Sequence, residues 1–472
     1  MLNQEIYVKS PLTNKIANNG VAEVKDDTSK LALETLRYEL ETFVCDGEYK
    51  KGLDNILSTF LTNVSTGSEQ PAIWISGFYG SGKSHLAKML RSLWVDFDFG
   101  NGMTARGIAS LPTEVNDHFK ELTTQGHRHG GLHAASGTLG QGASDWVRTA
   151  LLSIVFKSAG LPELYHLARF VIWLKQQGIE QQVKQDVEAA GKDWLKELNA
   201  LFMSPVIAKA LLSAKPDLAN DERELREVLR AEYKRVDDVS NDQMVEAIKD
   251  ALSVDGKFPL TLIVLDEVQQ YIDKDANRAY QVQEAVETCC KHFNSQLLFV
   301  ATGQNALSGM PNLMRLMGRF QVPVQLSDTD VESVIRKIIL QKKSSTIGQV
   351  ESLLKDNLGE ISRHLRGTKV EHVLNDEATM VADYPLLPVR RRFWEKVLRI
   401  VDTTGTVSQL RNQLKVVHEA TKVTADKELG HVVTGDFIYG QIAPNLLMTG
   451  VISKTVYETI ADRKSGSAGM PR

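Results

Sequence analysis

The chain has 472 residues, 42% of them hydrophobic and 24% charged, with a formal net charge of −4. That length suits about three domains, and that balance excludes global disorder. The charge gives no pointer to nucleic acid, although a local basic patch for DNA stays open. The three cysteines, Cys45, Cys289 and Cys290, make no metal-binding spacing and suit a reducing cytoplasm. Met1 to Ser10 lacks the apolar run of a signal peptide, and no run approaches membrane-spanning length. A cytoplasmic chain with no membrane contact is expected.

Residues 1 to about 30 are polar and weakly patterned. Ser29 is placed to cap a helix through Leu31, Leu36 and Leu40, and a second helix runs from Gly52 through Leu53, Ile56, Leu57, Phe60 and Leu61. Ala72-Ile73-Trp74-Ile75 predicts a buried strand. Gly77-Phe78-Tyr79-Gly80-Ser81-Gly82-Lys83-Ser84 then reads G-x-x-x-x-G-K-S, the phosphate-binding P-loop pattern. Its glycines let successive backbone N–H groups converge on a phosphate. Lys83 supplies a compact positive charge for the β- and γ-phosphates, and Ser84 offers a hydroxyl to Mg²⁺. Leu86, Met89, Leu90 and Leu93 recur at helical spacing behind the loop, so the positive end of a helix dipole faces the same anion.

Leu111 to Gly142 reads as loop-rich, with a strand over Leu132 to Ser136. His127, His129 and His133 lie in it among Gly126, Gly130 and Gly131; no carboxylate or cysteine completes a metal set, so a solvated loop is expected. Residues 143 to about 255 read as almost wholly helical. Their apolar stripes are Trp146/Ala150/Leu151/Val155/Phe156, Leu164/Leu167/Ala168/Val171/Ile172, Trp194/Leu195/Leu198/Leu201 and Leu225/Val228/Leu229/Tyr233.

Leu260-Thr261-Leu262-Ile263-Val264-Leu265-Asp266-Glu267 is a continuous apolar run ending in two carboxylates. It predicts a central parallel strand whose C-terminal end meets a ligand. Asp266 would hold Mg²⁺, directly or through water, and Glu267 would polarise the attacking water. A helix from about Ala276 to Phe293 follows, then a buried strand over Leu297 to Ala301 ending at Thr302. Val322-Pro323-Val324 reads as a fifth strand, at an edge because proline cannot donate to a ladder. A helix from Asp330 carries Val331, Val334, Ile335, Ile338 and Ile339, and residues 350 to 430 are mainly helical. The basic run Arg390-Arg391-Arg392 beside Phe393-Trp394 reads either as a contact for phosphates or, the reading favoured slightly, as a solvated helix face paired with acids. Arg411 stands beside the stripe Leu410/Leu414/Val417, and Arg463 to Gly469 reads as flexible.

The order of parts, from P-loop through Asp-Glu strand and polar strand end to Gly318-Arg319-Phe320 and a late helical arginine, resembles the AAA+ class of P-loop ATPases. More closely, Ile75 to Leu86 and Leu265-Asp266-Glu267-Val268-Gln269-Gln270-Tyr271-Ile272 resemble the large P-loop ATPase of bacterial BREX phage-defence systems (BrxC/PglY type). Such proteins are much longer, so the resemblance implies an N-terminal portion. It implies an α/β fold with a five-stranded parallel sheet in the order 5-1-4-3-2, a large helical insertion and a helical lid. ATP and Mg²⁺ are the implied cofactors. The P-loop with His85 would bind the nucleotide. Thr302 matches the sensor 1 position, with Gln304 as its rival; Arg319 matches the arginine finger, with Arg315 as its rival; Arg411 matches sensor 2.

The expected domains are 1–65, a helical segment near the adenine pocket; 66–328, the core with its insertion at 143–255; 329–430, the lid; and 431–472, the start of a following segment. The implied function is ATP hydrolysis that drives or times assembly of a defence complex. Other BREX proteins and further copies of the chain are the expected partners. A nucleotide-gated scaffold with little turnover, or a DNA-loading ATPase like replication initiators, are the alternatives.

Overall fold

The structure, a computed structural model, describes residues 1–14, 29–77, 81–140, 146–273, 275–309, 311–363, 365–401, 410–448 and 450–466. The chain divides into two compact units. One comprises Val21–Gly77 and Lys83–Gln325, the other Met1–Gly20, Phe78–Gly82 and Leu326–Arg472. No described helix is long and apolar enough to cross a membrane.

The first unit begins with α1 (Lys30–Glu41) and α2 (Gly47–Thr66). Ser29 Oγ accepts from Ala32 N at 3.3 Å and caps α1 as its residue type predicts. There follow β1 (Ile73–Ser76), α3 (Lys83–Trp94), α4 (Ala105–Ile108), α5 (Thr113–Arg128) and β2 (Leu132–Thr138). The helical stretch consists of α6 (Val147–Ser158), α7 (Tyr165–Gln176), α8 (Glu180–Ala189), α9 (Trp194–Asn199), α10 (Pro205–Ala214), α11 (Glu222–Glu232) and α12 (Asn241–Leu252). β3 (Leu260–Asp266), α13 (Val268–Ile272), α14 (Ala276–His292), β4 (Leu297–Gly303), α15 (Pro311–Met314) and β5 (Val322–Gln325) complete it.

Five strands among the described residues form one parallel sheet, in the spatial order β2-β3-β4-β1-β5. β3 and β4 are buried along their whole length, which is why they read as unbroken apolar runs. β5 carries Pro323 and pairs with β1 alone, so the proline sits on an edge strand. The registers align the C-terminal strand ends. Ser76 pairs with Gly303, Ile75 with Thr302, and Thr138 with Asp266. Gly303 has a steric reason to be glycine, since a Cβ there would lie 2.2 Å from Trp74 Cζ2. Gly303→Ala is therefore expected to cost about 1–3 kcal/mol, read as a lowered unfolding midpoint. An unchanged midpoint would mean that Trp74 moves aside freely.

From residue 146 to 255 the helical stretch does not form a separate body. Its buried side chains, among them Leu152, Val155, Phe170 and Ile248, share one apolar cluster with Trp74, Ala135, Phe299 and Ala301 of the sheet. Four stripe residues depart from expectation. Trp146 and Leu164 precede their helices as exposed N-cap residues, while Leu195 and Val228 face outward. The segment expected to be loop-rich holds α5, whose Val115, Phe119 and Leu122 are buried at helical spacing; the glycines and histidines around its end masked that period. Its histidines go separate ways. His127 lies in the last turn of α5, His129 Nδ1 meets Gln296 Nε2 at 2.8 Å, and His133 Nε2 meets Ser158 Oγ at 2.9 Å.

The second unit contains α16 (Asp328–Ile338), α17 (Ser344–Asp356), α18 (Leu358–Arg363), α19 (Asp376–Asp383), α20 (Pro388–Val401), α21 (Leu410–Ala425), α22 (Gly435–Met448) and α23 (Lys454–Gly466). The N-terminal residues are tied into it. Asn3 N donates to Lys427 O at 2.9 Å, Val8 N to Gln341 O at 2.9 Å, and Tyr384 Oη to Asn3 Oδ1 at 2.5 Å. Residues 1–65 therefore divide between the two units, and 431–472 belongs to the same unit as 326–430. Arg391 and Arg392 are paired with acids, and Arg391 is buried rather than solvated. Arg391 is buried between Asp383, at 3.0 Å, and Glu332, at 2.8 Å, and Arg392 pairs with Asp376. Carboxylates on α16 and α19 neutralise guanidiniums that water would otherwise have to solvate. Arg463 to Gly466 continues α23; residues 467–469 lie outside the described residues.

Candidate active site

The polar strand ends of β1, β3 and β4 meet in the first unit. Lys83 opens α3, and its Nζ donates to Gly77 O at 3.0 Å. Burial pushes the Lys83 ammonium down to about 8, against the opposing pull of Asp266 and Glu267. Ser84 Oγ donates to Asp266 Oδ1 at 3.1 Å. The same carboxylate oxygen accepts from Thr302 Oγ1 at 2.5 Å and from Glu267 N at 3.2 Å. Thr302 is buried and uses its hydroxyl twice, since it also accepts from Glu267 N at 2.9 Å. Of the two residues weighed for that strand end, Thr302 makes these contacts, while the exposed Gln304 lies beyond it.

Glu267 adopts φ 56° and ψ 31°, left-handed values for a residue with a side chain. Such a conformation costs of order 1–3 kcal/mol and persists only where surroundings hold it. Here Asp266 Oδ1 and Thr302 Oγ1 hold it through its amide. Burial raises the Glu267 carboxyl pKa, Asp266 raises it further, and Lys83 acts the other way. The site therefore contains a cation, a hydroxyl and two carboxylates of different character at the C-terminal ends of parallel strands, where open α/β sheets take ligands. Ser84 and Asp266 are hard oxygen donors of the kind Mg²⁺ takes, so the residues fit that ion.

Phe78, Tyr79 and Gly80 lie outside the described residues. Gly82 has φ 90°, which a side chain would strain. His85 stands edge-on to Phe43, with centroids 5.9 Å apart. Arg319 is not with this group. Its carbonyl accepts from Ala72 N, just before β1, so it sits at the opposite strand end from Gly77. Arg319 Nη2 pairs with Glu287 at 3.0 Å, and Nη1 pairs with Glu69. Hydrogen bonds from Arg319 and then Lys291 hold Glu287 down at about 2. Arg315 is exposed. Arg411 belongs to α21, with its side chain outside the described residues. One residue at the site was assigned no role by the sequence. Gln269 Oε1 accepts from Gln304 N at 2.7 Å and from Asn305 N at 2.9 Å.

The Lys83 shift sets a pH dependence. Below about 8 the ammonium is charged before an anion arrives. Above that value it is neutral, and a bound polyphosphate must draw in a proton to charge it. Nucleotide affinity is expected to fall by up to about tenfold per pH unit above 8. Titration calorimetry at pH 7 and 9 checks this, with proton uptake read from buffers of different ionisation enthalpy. Equal affinities would place the charged lysine in both states.

No family model matches the chain. Among solved structures, the chain is similar to the Orc1 protein of Aeropyrum pernix in complex with DNA, at 12% identity, with 89% of this chain and 90% of that chain covered and a TM-score of 0.32. At so low a score, the fold and the site stand on the strand order and contacts described above.

Proposed function

We propose that this chain is a Mg²⁺-dependent ATP hydrolase of the AAA+ P-loop class. The observation that carries this reading is the contact between Ser84 Oγ and Asp266 Oδ1 at 3.1 Å, made across 182 positions of sequence. It joins the end of the P-loop to the acidic strand end, two motifs that have a common purpose only at a nucleotide's phosphates. Lys83 binds and orients the outer phosphates. Glu267 orients the attacking water and accepts its proton. Thr302 fixes Asp266 and the Glu267 amide, so neither need reorganise during reaction. Mg²⁺ held by Ser84 and Asp266 would neutralise charge on the β- and γ-phosphates.

The finer parts of the proposal rest on the sequence resemblance. These are the lid of residues 329–430, the sensor 2 role of Arg411, and a role in assembling a BREX phage-defence complex with other BREX proteins and further copies of the chain. Arg319 as a finger acting on a neighbouring subunit rests on the resemblance and on its place away from its own P-loop. Its pairs with Glu69 and Glu287 must open for that role. The deciding experiment is phosphate release from ATP, with Mg²⁺ and with chelator, by the purified chain. Chelator-sensitive turnover supports a hydrolase. Tight ATP binding without turnover in any assembly state would replace it with a nucleotide-gated scaffold.

A further inference from the structure

We propose that Gln269 is a positioning residue for the Glu267 carboxylate, acting through the turn that follows Thr302. The proposal rests on the hydrolase reading above and adds to it a residue that no phosphate-site motif marks. Gln269 lies two positions after Glu267 on α13 and is half-buried. Its Oε1 accepts from two successive backbone amides, Gln304 N at 2.7 Å and Asn305 N at 2.9 Å. Trp74 Nε1 holds the same turn from below by donating to Asn305 O at 2.9 Å. At the near end of the turn, Thr302 Oγ1 accepts from Glu267 N at 2.9 Å.

These bonds close a ring. It runs from Glu267 along α13 to Gln269, across to Gln304, back through Gly303 to Thr302, and across again to Glu267. Inside the ring, Glu267 holds its left-handed backbone conformation. Such a conformation survives only while its surroundings over-determine it. Opening the ring at Gln269 leaves the Thr302 side of the bracket attached to a freer turn, and Glu267 gains room to relax. None of the ring bonds involves Lys83 or Ser84. Ground-state nucleotide binding should therefore be spared while the chemical step suffers.

The test uses the full chain and three measurements: ATP affinity, kcat, and amide hydrogen exchange at Gln304 and Asn305. Gln269→Ala removes the double acceptor. Gln269→Glu keeps two acceptor lone pairs in the same place. In Gln269→Ala, kcat is expected to fall about 10- to 100-fold, as for a misplaced catalytic group. ATP affinity should stay within about twofold, the signature of an interaction that matters only beyond the ground state. Exchange at Gln304 and Asn305 should accelerate. Gln269→Glu should restore slow exchange and most of kcat. Unchanged kcat in a folded Gln269→Ala overturns the proposal, as does a loss of kcat that Gln269→Glu fails to recover while exchange is restored. Absence of turnover in the unaltered chain would instead overturn the hydrolase reading, and exchange at Gln304 and Asn305 would still show whether the bracket exists.

Discussion

Glu267→Gln is expected to slow ATP turnover at least about 100-fold while ATP remains bound. The substitution keeps the side chain's shape and one oxygen acceptor. It removes the group that can take a proton from water. The contacts of Lys83 and Ser84 stay in place, because Glu267 is tied to the site through its backbone amide, bonded to Asp266 and Thr302, and Lys83 loses only the charge pull of Glu267. The pH profile supplies a second readout. Burial and Asp266 raise the Glu267 pKa, against the pull of Lys83, so the carboxylate loses its proton at a higher pH than an ordinary glutamate does. Activity should therefore fall on acidification at a pH higher than a free glutamate would give. That acid limb should vanish in the variant's residual rate. Near-normal turnover in Glu267→Gln would mean that another group positions the water.

The parts of this site that were legible in the sequence are those whose chemistry is local. A P-loop needs its glycines, lysine and hydroxyl within eight successive residues, and an inner strand needs an unbroken apolar run, so both announce themselves. Thr302 was legible because a buried strand must end somewhere, and its first polar residue falls at the strand end that meets Asp266 and Glu267. Gln269 was not, because a glutamine on a short helix looks the same whether it faces water or brackets a turn 35 positions away. At 390–392 the pairing with acids was legible, but the burial of Arg391 was not, for a related reason. Charge suggests solvent, but Glu332 and Asp383 reach Arg391 from other helices, and only the fold brings them there. α5 was obscured by the glycines and histidines near its end, although Val115, Phe119 and Leu122 carried the helical period throughout. The N-terminal strap has no pattern to read, since its bonds to Lys427 and Gln341 are made largely by backbone groups that every residue possesses.

Lys83→Ala should affect an earlier step than Glu267→Gln. Lys83 is the cation of the phosphate motif, and its Nζ already lies at the strand end, 3.0 Å from Gly77 O. Its environment is costly for a charge, which is why burial brings its pKa down to about 8. A polyphosphate is the partner that would offset that cost, since charge-assisted contacts strengthen where water is excluded. Removing the ammonium deletes that contact and leaves Asp266 and Glu267 to repel the incoming anion. A loss of ATP affinity of about 100-fold or more is therefore expected, on the scale of a hydrogen-bonded charge pair deprived of one partner. Turnover should be undetectable at ATP concentrations that saturate the unaltered chain. If the BREX reading holds, cells relying on this chain for defence should also lose protection from phage when it carries this change. The two substitutions then separate by stage, with Glu267→Gln trapping ATP and Lys83→Ala failing to hold it. Calorimetry showing unchanged ATP affinity in a folded Lys83→Ala chain would remove this loop from the nucleotide site altogether.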